Sequence, residues 1–178
     1  LAIKEASPAG VKRYNLAKTL INTKTSHFMQ AQVTISSASP ADLQWVNQQY
    51  KTIDFKPSCF ENEIVAIAKV DNKPVGVGRL QTIEDAVAEL GGIYVESALR
   101  QQGVANKIVA YLLANSTSYK IVYCLPFAHL APFYQRFGFK PVTTSAIVPQ
   151  EVSAKVDWCG NNYKQPVLLH AVTNPCMK

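Results

Sequence analysis

The chain has 178 residues, of which 48% are hydrophobic and 17% charged. This composition is typical of one folded domain and excludes a disordered or fibrous chain. A domain of this size buries enough surface to form a core without a disulfide or a metal. The longest apolar runs fall far short of the roughly 20 residues of a membrane-spanning helix, so we predict no membrane span.

The formal net charge of +6 is concentrated at one end of the chain. Residues 1–28 hold five Lys or Arg and one acid, whereas the other 150 residues hold 13 basic and 11 acidic side chains. Because that body is nearly neutral and lacks a patch that mixes basic and aromatic residues, nucleic-acid binding is disfavoured. Met29 immediately precedes the first strand-like segment. We therefore predict a basic N-terminal extension over 1–28 and a complete domain over 29–178.

The cysteines give no sign of a metal site. They are widely spaced, form no Cys-x-x-Cys pair and have no neighbouring His to complete a zinc set: Cys59, Cys124, Cys159 and Cys176. We interpret them as reduced thiols in a cytoplasmic protein without a metal.

Hydrophobic periodicity predicts alternating strands and helices. Ser39 followed by Pro40 and Asp42 has the pattern of a helix N-terminus. An apolar stripe of Leu43, Val46, Tyr50 and Ile53 continues from it. Strands are predicted near 32–37, 63–70, 75–80, 87–95, 120–124, 142–148 and 166–172. Helices are predicted near 39–53, 104–112 and, as a short helix, 129–136. Such an order predicts one domain with a mixed α/β sheet.

The most informative segment is 89–105, where a strand ends in a glycine-containing loop that opens into a helix. The first amides of a helix lack internal partners, so those of Gln102 to Ala105 can donate to a phosphate, and Gly103 allows close approach. An ordinary strand-to-helix loop is the alternative. The loop lacks the Gly-Lys-Ser/Thr end of a Walker A motif, and Gly76-Val-Gly78 lacks the third glycine of a dinucleotide fingerprint.

Two ordered motifs carry a family resemblance. Arg100-Gln-Gln-Gly-Val-Ala105 resembles the Arg/Gln-x-x-Gly-x-Gly/Ala signature of the GNAT superfamily of acetyl-CoA-dependent N-acetyltransferases. Phe133-Tyr-Gln-Arg-Phe-Gly-Phe139 resembles its Tyr-x-x-x-Gly-Phe segment, and Leu90–Val95 is similar to the strand that precedes the signature loop. The resemblance implies a mostly antiparallel central sheet that is splayed between its two central parallel strands and flanked by helices.

The resemblance also implies acetyl-CoA as co-substrate and no metal. The pantetheine arm would bond to the splayed strand at Ile93, Tyr94 and Val95. The diphosphate would lie on the loop residues that match the signature, which are Arg100, Gln101, Gln102, Gly103, Val104 and Ala105.

Catalytic roles follow from the same resemblance. Tyr134 matches the tyrosine that also contacts CoA and protonates or hydrogen-bonds the departing thiolate, and its alternative role is packing beside neighbouring phenylalanines. The attacking amine must be neutral, so a base is required. Glu89 is the first choice and Glu96 the second, although either carboxylate could be a solvated strand residue.

The predicted function is transfer of acetyl from acetyl-CoA to a primary amine by direct attack in a ternary complex. The alternative is a CoA-binding sensor or interaction module without turnover. Cysteine-nucleophile chemistry is disfavoured because Cys124 lies in an apolar strand. His129 is expected to cap its helix or line the acceptor pocket, and 151–159 to form a pocket wall or a covering helix. The sequence does not identify the amine, which could be a small molecule or a protein amine, and it allows a homodimer.

Overall fold

The computed structural model describes residues 32–143 and 146–174. The N-terminal extension predicted over 1–28 lies outside these residues. The elements in chain order are β1 (Thr34–Ser37), α1 (Leu43–Thr52), β2 (Glu63–Val70), β3 (Lys73–Glu84), β4 (Val87–Val95), α2 (Val104–Ala114), β5 (Ile121–Cys124), α3 (Ala131–Gln135), β6 (Lys140–Pro141), α4 (Gln150–Asn162) and β7 (His170–Thr173).

The strands form one seven-stranded sheet in the order β1-β2-β3-β4-β5-β7-β6. Every neighbouring pair is antiparallel except β4 and β5, which are parallel. This arrangement confirms the predicted fold class. No helix within the described residues is long and apolar enough to cross a membrane.

A 3-10 turn over Pro40–Asp42 begins where the sequence predicts a helix, and α1 continues from it at Leu43 and packs on the sheet. The Asp42 carboxylate accepts hydrogen bonds from the amide and the hydroxyl of Ser39, at 2.8 and 2.7 Å, and so stabilises the first turn. Val46 and Tyr50 are fully buried against the apolar side chains of β2 and β3. The prediction that Ile53 continues this buried stripe is wrong, because the helix ends at Thr52 and Ile53 is 44% exposed.

Two glycines of β3 let helix α2 lie close to the sheet. A Cβ at Gly78 would be 2.5 Å from Ile93 Cδ1 and 2.7 Å from Ile108 Cγ2. A Cβ at Gly76 would be 3.1 Å from Ile108 Cδ1. The Gly76-Val-Gly78 segment therefore serves packing between helix and sheet, which agrees with its rejection as a dinucleotide fingerprint.

The C-terminal third departs from the sequence prediction. A strand over 142–148 is wrong for the residues described there, because β6 covers only Lys140–Pro141. The last strand begins later than predicted because the Leu168 amide donates to Pro126 O, at 2.9 Å, which holds residues 166–168 against the loop after β5. Helix α4 was not in the predicted order, although a covering helix at 151–159 was one of the alternatives.

Candidate functional site

The parallel strands β4 and β5 separate after a short stretch of pairing. They pair at only three positions, Val87 with Ile121, Ala88 with Val122 and Glu89 with Tyr123. Strand β4 continues to Val95 beyond the last of these pairs. The two strands therefore form a splay with Glu89 at its vertex, and the β4 edge beyond Glu89 has no strand partner among the described residues. An open edge of this kind can bind an extended ligand as an added strand.

A β-bulge at Gly92 bends β4 at the splay. The register of β4 on β3 shifts there, since Val77 faces Tyr94 but Arg79 faces Gly91. Gly92 has a φ of 61°, and its carbonyl accepts a hydrogen bond from Tyr50 Oη at 2.9 Å. A bulge increases strand twist and redirects the strand, so this bend turns β4 away from β5.

Gly92→Ala is expected to destabilise the fold by roughly 1–3 kcal/mol, since alanine is strained at positive φ. Its Cβ would also lie 2.6 Å from Tyr50 Oη and displace the ring that bonds the bulge. Gly160→Ala is the matched control, because Gly160 lies in α4 and a Cβ there meets nothing within 4 Å. The control should stabilise the protein by roughly 0.5–1 kcal/mol. Denaturant unfolding measures the free energy of unfolding of both variants, and equal values for the two would contradict this prediction.

The loop that precedes α2 presents free amides to one side. Gln101 and Gly103 have positive φ values of 62° and 80°, and α2 begins at Val104. Within the described ranges, no protein group accepts a hydrogen bond from the amides of residues 101–103. The space outside Gly103 is open, since a Cβ there meets nothing within 4 Å. These amides and the helix N-terminus together can bind an anionic group.

Side chains hold this loop in place. Arg100 Nε donates to Val95 O at 3.0 Å, which fastens the loop to the end of β4. Gln102 Nε2 donates to Ala98 O at 2.9 Å. The guanidinium of Arg100, which is predicted to contact a phosphate, is therefore held beside the end of β4.

A pocket of about 620 Å³ opens at the splay. Glu89 and Tyr134 both line it, and so does Ile93. One wall is a chain of aromatic rings, in which Tyr163 meets Phe127 and Trp158 edge to face at 5.4 and 5.6 Å. The volume lies in the range of small-molecule sites, and the mixture of apolar walls with a few polar groups is typical of them.

The two candidate bases occupy different places. The Glu89 side chain is 6% exposed inside the pocket, and its Oε1 lies 2.6 Å from Lys155 Nζ. Glu96 lies outside the pocket lining, and its amide donates to Val75 O at the edge of β3. The geometry therefore favours Glu89 over Glu96 as the group that faces a bound amine.

Tyr134 combines a packed ring with an accessible hydroxyl. Phe133 and Phe139 meet its ring edge to face, with centroids at 4.9 and 5.9 Å. Burial raises the pKa of Tyr134, and the nearby Cys124 raises it further, so the phenol is a proton donor at neutral pH. Among the described residues no group forms a hydrogen bond with this hydroxyl, which leaves it free for a ligand.

Within the described residues, Cys124 does not form a nucleophilic site with His170. His170 lies opposite Cys124 in the β5–β7 register, and both are buried. However, neither ring nitrogen of His170 has a hydrogen-bond partner among the residues that the structure describes, and burial raises the pKa of Cys124. Cys124 is therefore a thiol at neutral pH. No group of three or more potential ligands within the described part of the chain could hold a metal ion. His129 is not in the pocket lining but stacks on Phe127 at 6.1 Å.

Sequence analysis missed two basic residues of this site. Arg79 is 3% exposed, pairs with Glu63 at 3.2 Å and lies over the rings of Tyr50 and Phe55. A single charge inside the apolar run of β3 was the available signal. Lys155 gave no such signal, because its position beside Glu89 depends on how α4 packs.

Residues 61–141, which contain the splay, the loop and α3, match the family model of the acetyltransferase (GNAT) domain. Over these residues the chain is similar to GNAT acetyltransferases. The resemblance noted in the sequence is thereby confirmed, and the family supports acyltransferase activity. No curated protein matches the chain.

Three solved structures show the same fold as this chain. Rv2747 from Mycobacterium tuberculosis in complex with CoA has a TM-score of 0.65 at 18% identity, covering 79% of this chain and 99% of that one. The ribosomal-protein-S18-alanine N-acetyltransferase from Escherichia coli has a TM-score of 0.59 at 16% identity, covering 80% and 94%. An aminoglycoside 6'-N-acetyltransferase complexed with CoA has a TM-score of 0.58 at 17% identity, covering 79% and 96%.

Proposed function

We propose that this GNAT domain transfers acetyl from acetyl-CoA to a primary amine by direct attack in a ternary complex. One observation carries the proposal, namely that the open splay of β4 and β5 leads into a pocket lined by both Glu89 and Tyr134. A thioester that entered along the splay would meet a carboxylate and a phenol in this pocket, which supports the proposal.

CoA is proposed to bind along the open edge of β4 and at the free amides of residues 101–103. The pantetheine arm would bond to β4 at Ile93, Tyr94 and Val95, beyond the last β5 pair. The diphosphate would lie on the loop of residues 100–105, where the amides of 101–103 are unused by the described protein groups. CoA is bound in the structures of Rv2747 and the aminoglycoside acetyltransferase, which supports the same co-substrate here.

The chemistry needs one base and one acid. The amine nitrogen attacks the thioester carbon, Glu89 accepts the proton of the amine, and the carbon–sulfur bond breaks. Tyr134 donates its proton to the departing thiolate, which forms the CoA thiol. Glu89 then releases its proton to solvent and Tyr134 regains one, so the acetylated amine and the CoA thiol are the products.

The pocket walls favour an acceptor that carries an apolar group. Three large apolar side chains are well exposed and also line this pocket, namely Ile53, Leu130 and Trp158. Exposed apolar side chains around a cavity are typical of a ligand site. We propose that they cover an aromatic or branched substituent of the amine.

The test is to incubate the chain with acetyl-CoA and a panel of primary amines, and to follow CoA thiol release together with the mass of each amine. Apolar amines should give acetylated product above the hydrolysis background. The Glu89–Lys155 ion pair favours a second candidate, a CoA-binding module without turnover, because it occupies the proposed base. Tight CoA binding with no acetylated amine across the panel would support that module.

A further inference from the structure

A primary amine of the protein already lies where the acceptor amine is proposed to bind. Lys155 Nζ is 2.6 Å from Glu89 Oε1, and both residues line the pocket at the vertex of the splay. The side chain of Lys155 is 34% exposed, so it is not locked in the core. Its flexible four-carbon stem lets the amine move toward the splay without movement of α4.

We propose that the domain acetylates its own Lys155, within one molecule, from acetyl-CoA. This inference rests on the proposed function, because it uses the same base and the same acid. The Lys155 ammonium gives one proton to Glu89 and attacks the thioester carbon as a neutral amine. A nitrogen–carbon bond forms, the carbon–sulfur bond breaks, and the nitrogen loses its second proton to solvent. Tyr134 protonates the departing thiolate, and the products are an amide at Lys155 and the CoA thiol.

Lys155 differs from the other lysines named here in its contact with the proposed base, Glu89. Lys56 also lines the pocket, but within the described ranges no carboxylate pairs with its amine, whereas Lys155 is in contact with Glu89. Lys73, the first residue of β3, is exposed and does not line the pocket. A nucleophile held beside its base reacts as if at very high concentration. Lys155 is therefore expected to react far faster than an exposed lysine.

The test uses the full chain with acetyl-CoA and no added amine. Intact mass should increase by one acetyl group, and peptide mapping should place that group on Lys155 before Lys73 is modified. The rate constant should not change with protein concentration, because the reaction is intramolecular. Lys155→Arg keeps the charge opposite Glu89 but has no acetylatable amine, so the fast phase should disappear. Glu89→Gln should slow the acetylation of Lys155 by about 10²- to 10⁴-fold, as expected for the loss of a positioned base.

Two results would overturn the inference. One is acetylation of Lys155 no faster than that of Lys73. The other is a rate constant for Lys155 acetylation that rises in proportion to protein concentration, which would indicate transfer between molecules. Acetylation of an added amine while Lys155 stays unmodified would remove this inference alone and leave the proposed function standing. An unmodified Lys155 together with no acetylation of any added amine would remove both.

Discussion

Tyr134→Phe is expected to lower turnover by about 10²- to 10⁴-fold, the usual contribution of a positioned general acid. The substitution removes only the hydroxyl, so the ring stays packed between Phe133 and Phe139. The fold and the affinity for CoA should therefore be nearly unchanged. The measurement is kcat at saturating amine and saturating acetyl-CoA, so that weaker binding is not mistaken for slower chemistry.

Tyr119→Phe is the matched control for this loss of a hydroxyl. Tyr119 lies outside the pocket lining and its hydroxyl is 2.6 Å from Thr82 Oγ1. Its removal should leave kcat at the wild-type value. Wild-type turnover by Tyr134→Phe would refute the acid role and return Tyr134 to a packing function.

Gly103→Glu is expected to weaken CoA binding by about 100-fold or more, which corresponds to roughly 3 kcal/mol. The new side chain would enter the open space outside Gly103, where the diphosphate is proposed to lie. Its carboxylate would repel the phosphates, and the φ of 80° would be strained for any side chain. Titration calorimetry with CoA on the folded variant measures the effect.

Two controls separate charge from strain in that experiment. Gly103→Ala shares the strained φ but adds no charge and only a Cβ that meets nothing within 4 Å, so it should bind CoA more tightly than Gly103→Glu. Gly160→Glu adds the same charge on α4, away from the loop, and should bind CoA like the wild type. Unchanged CoA affinity in a folded Gly103→Glu variant would exclude the loop as the diphosphate site.

Local patterns were sufficient to predict the strand, the loop and the helix start at which CoA is proposed to bind. Strand β4 covers 87–95 as predicted, because its bounds are set by a turn before it and the glycine loop after it. The 3-10 turn that leads into α1 follows from the bonds of Ser39 to Asp42, which are contacts three residues apart. The positive φ of Gly103 likewise reflects a residue that adopts this conformation at little cost.

Features that depend on long-range packing were not predictable. The short β6 depends on its register with β7, about thirty residues later in the chain. The Lys155–Glu89 contact joins residues 66 positions apart, and the buried charge of Arg79 depends on carbonyls of Lys56 and Pro57 from another segment. Periodicity carries no information about such partners, so the acceptor half of the site became visible only in the structure.

The most direct test of acetyl transfer at this site is a single-turnover measurement with isotope-labelled acetyl-CoA and one apolar primary amine. Lys155→Arg enzyme in excess over acetyl-CoA prevents self-acetylation from consuming the label. We expect labelled N-acetyl amine to form at the same rate as CoA thiol is released. Label that remains on bound acetyl-CoA for every amine tested, while CoA binds tightly, would contradict the account.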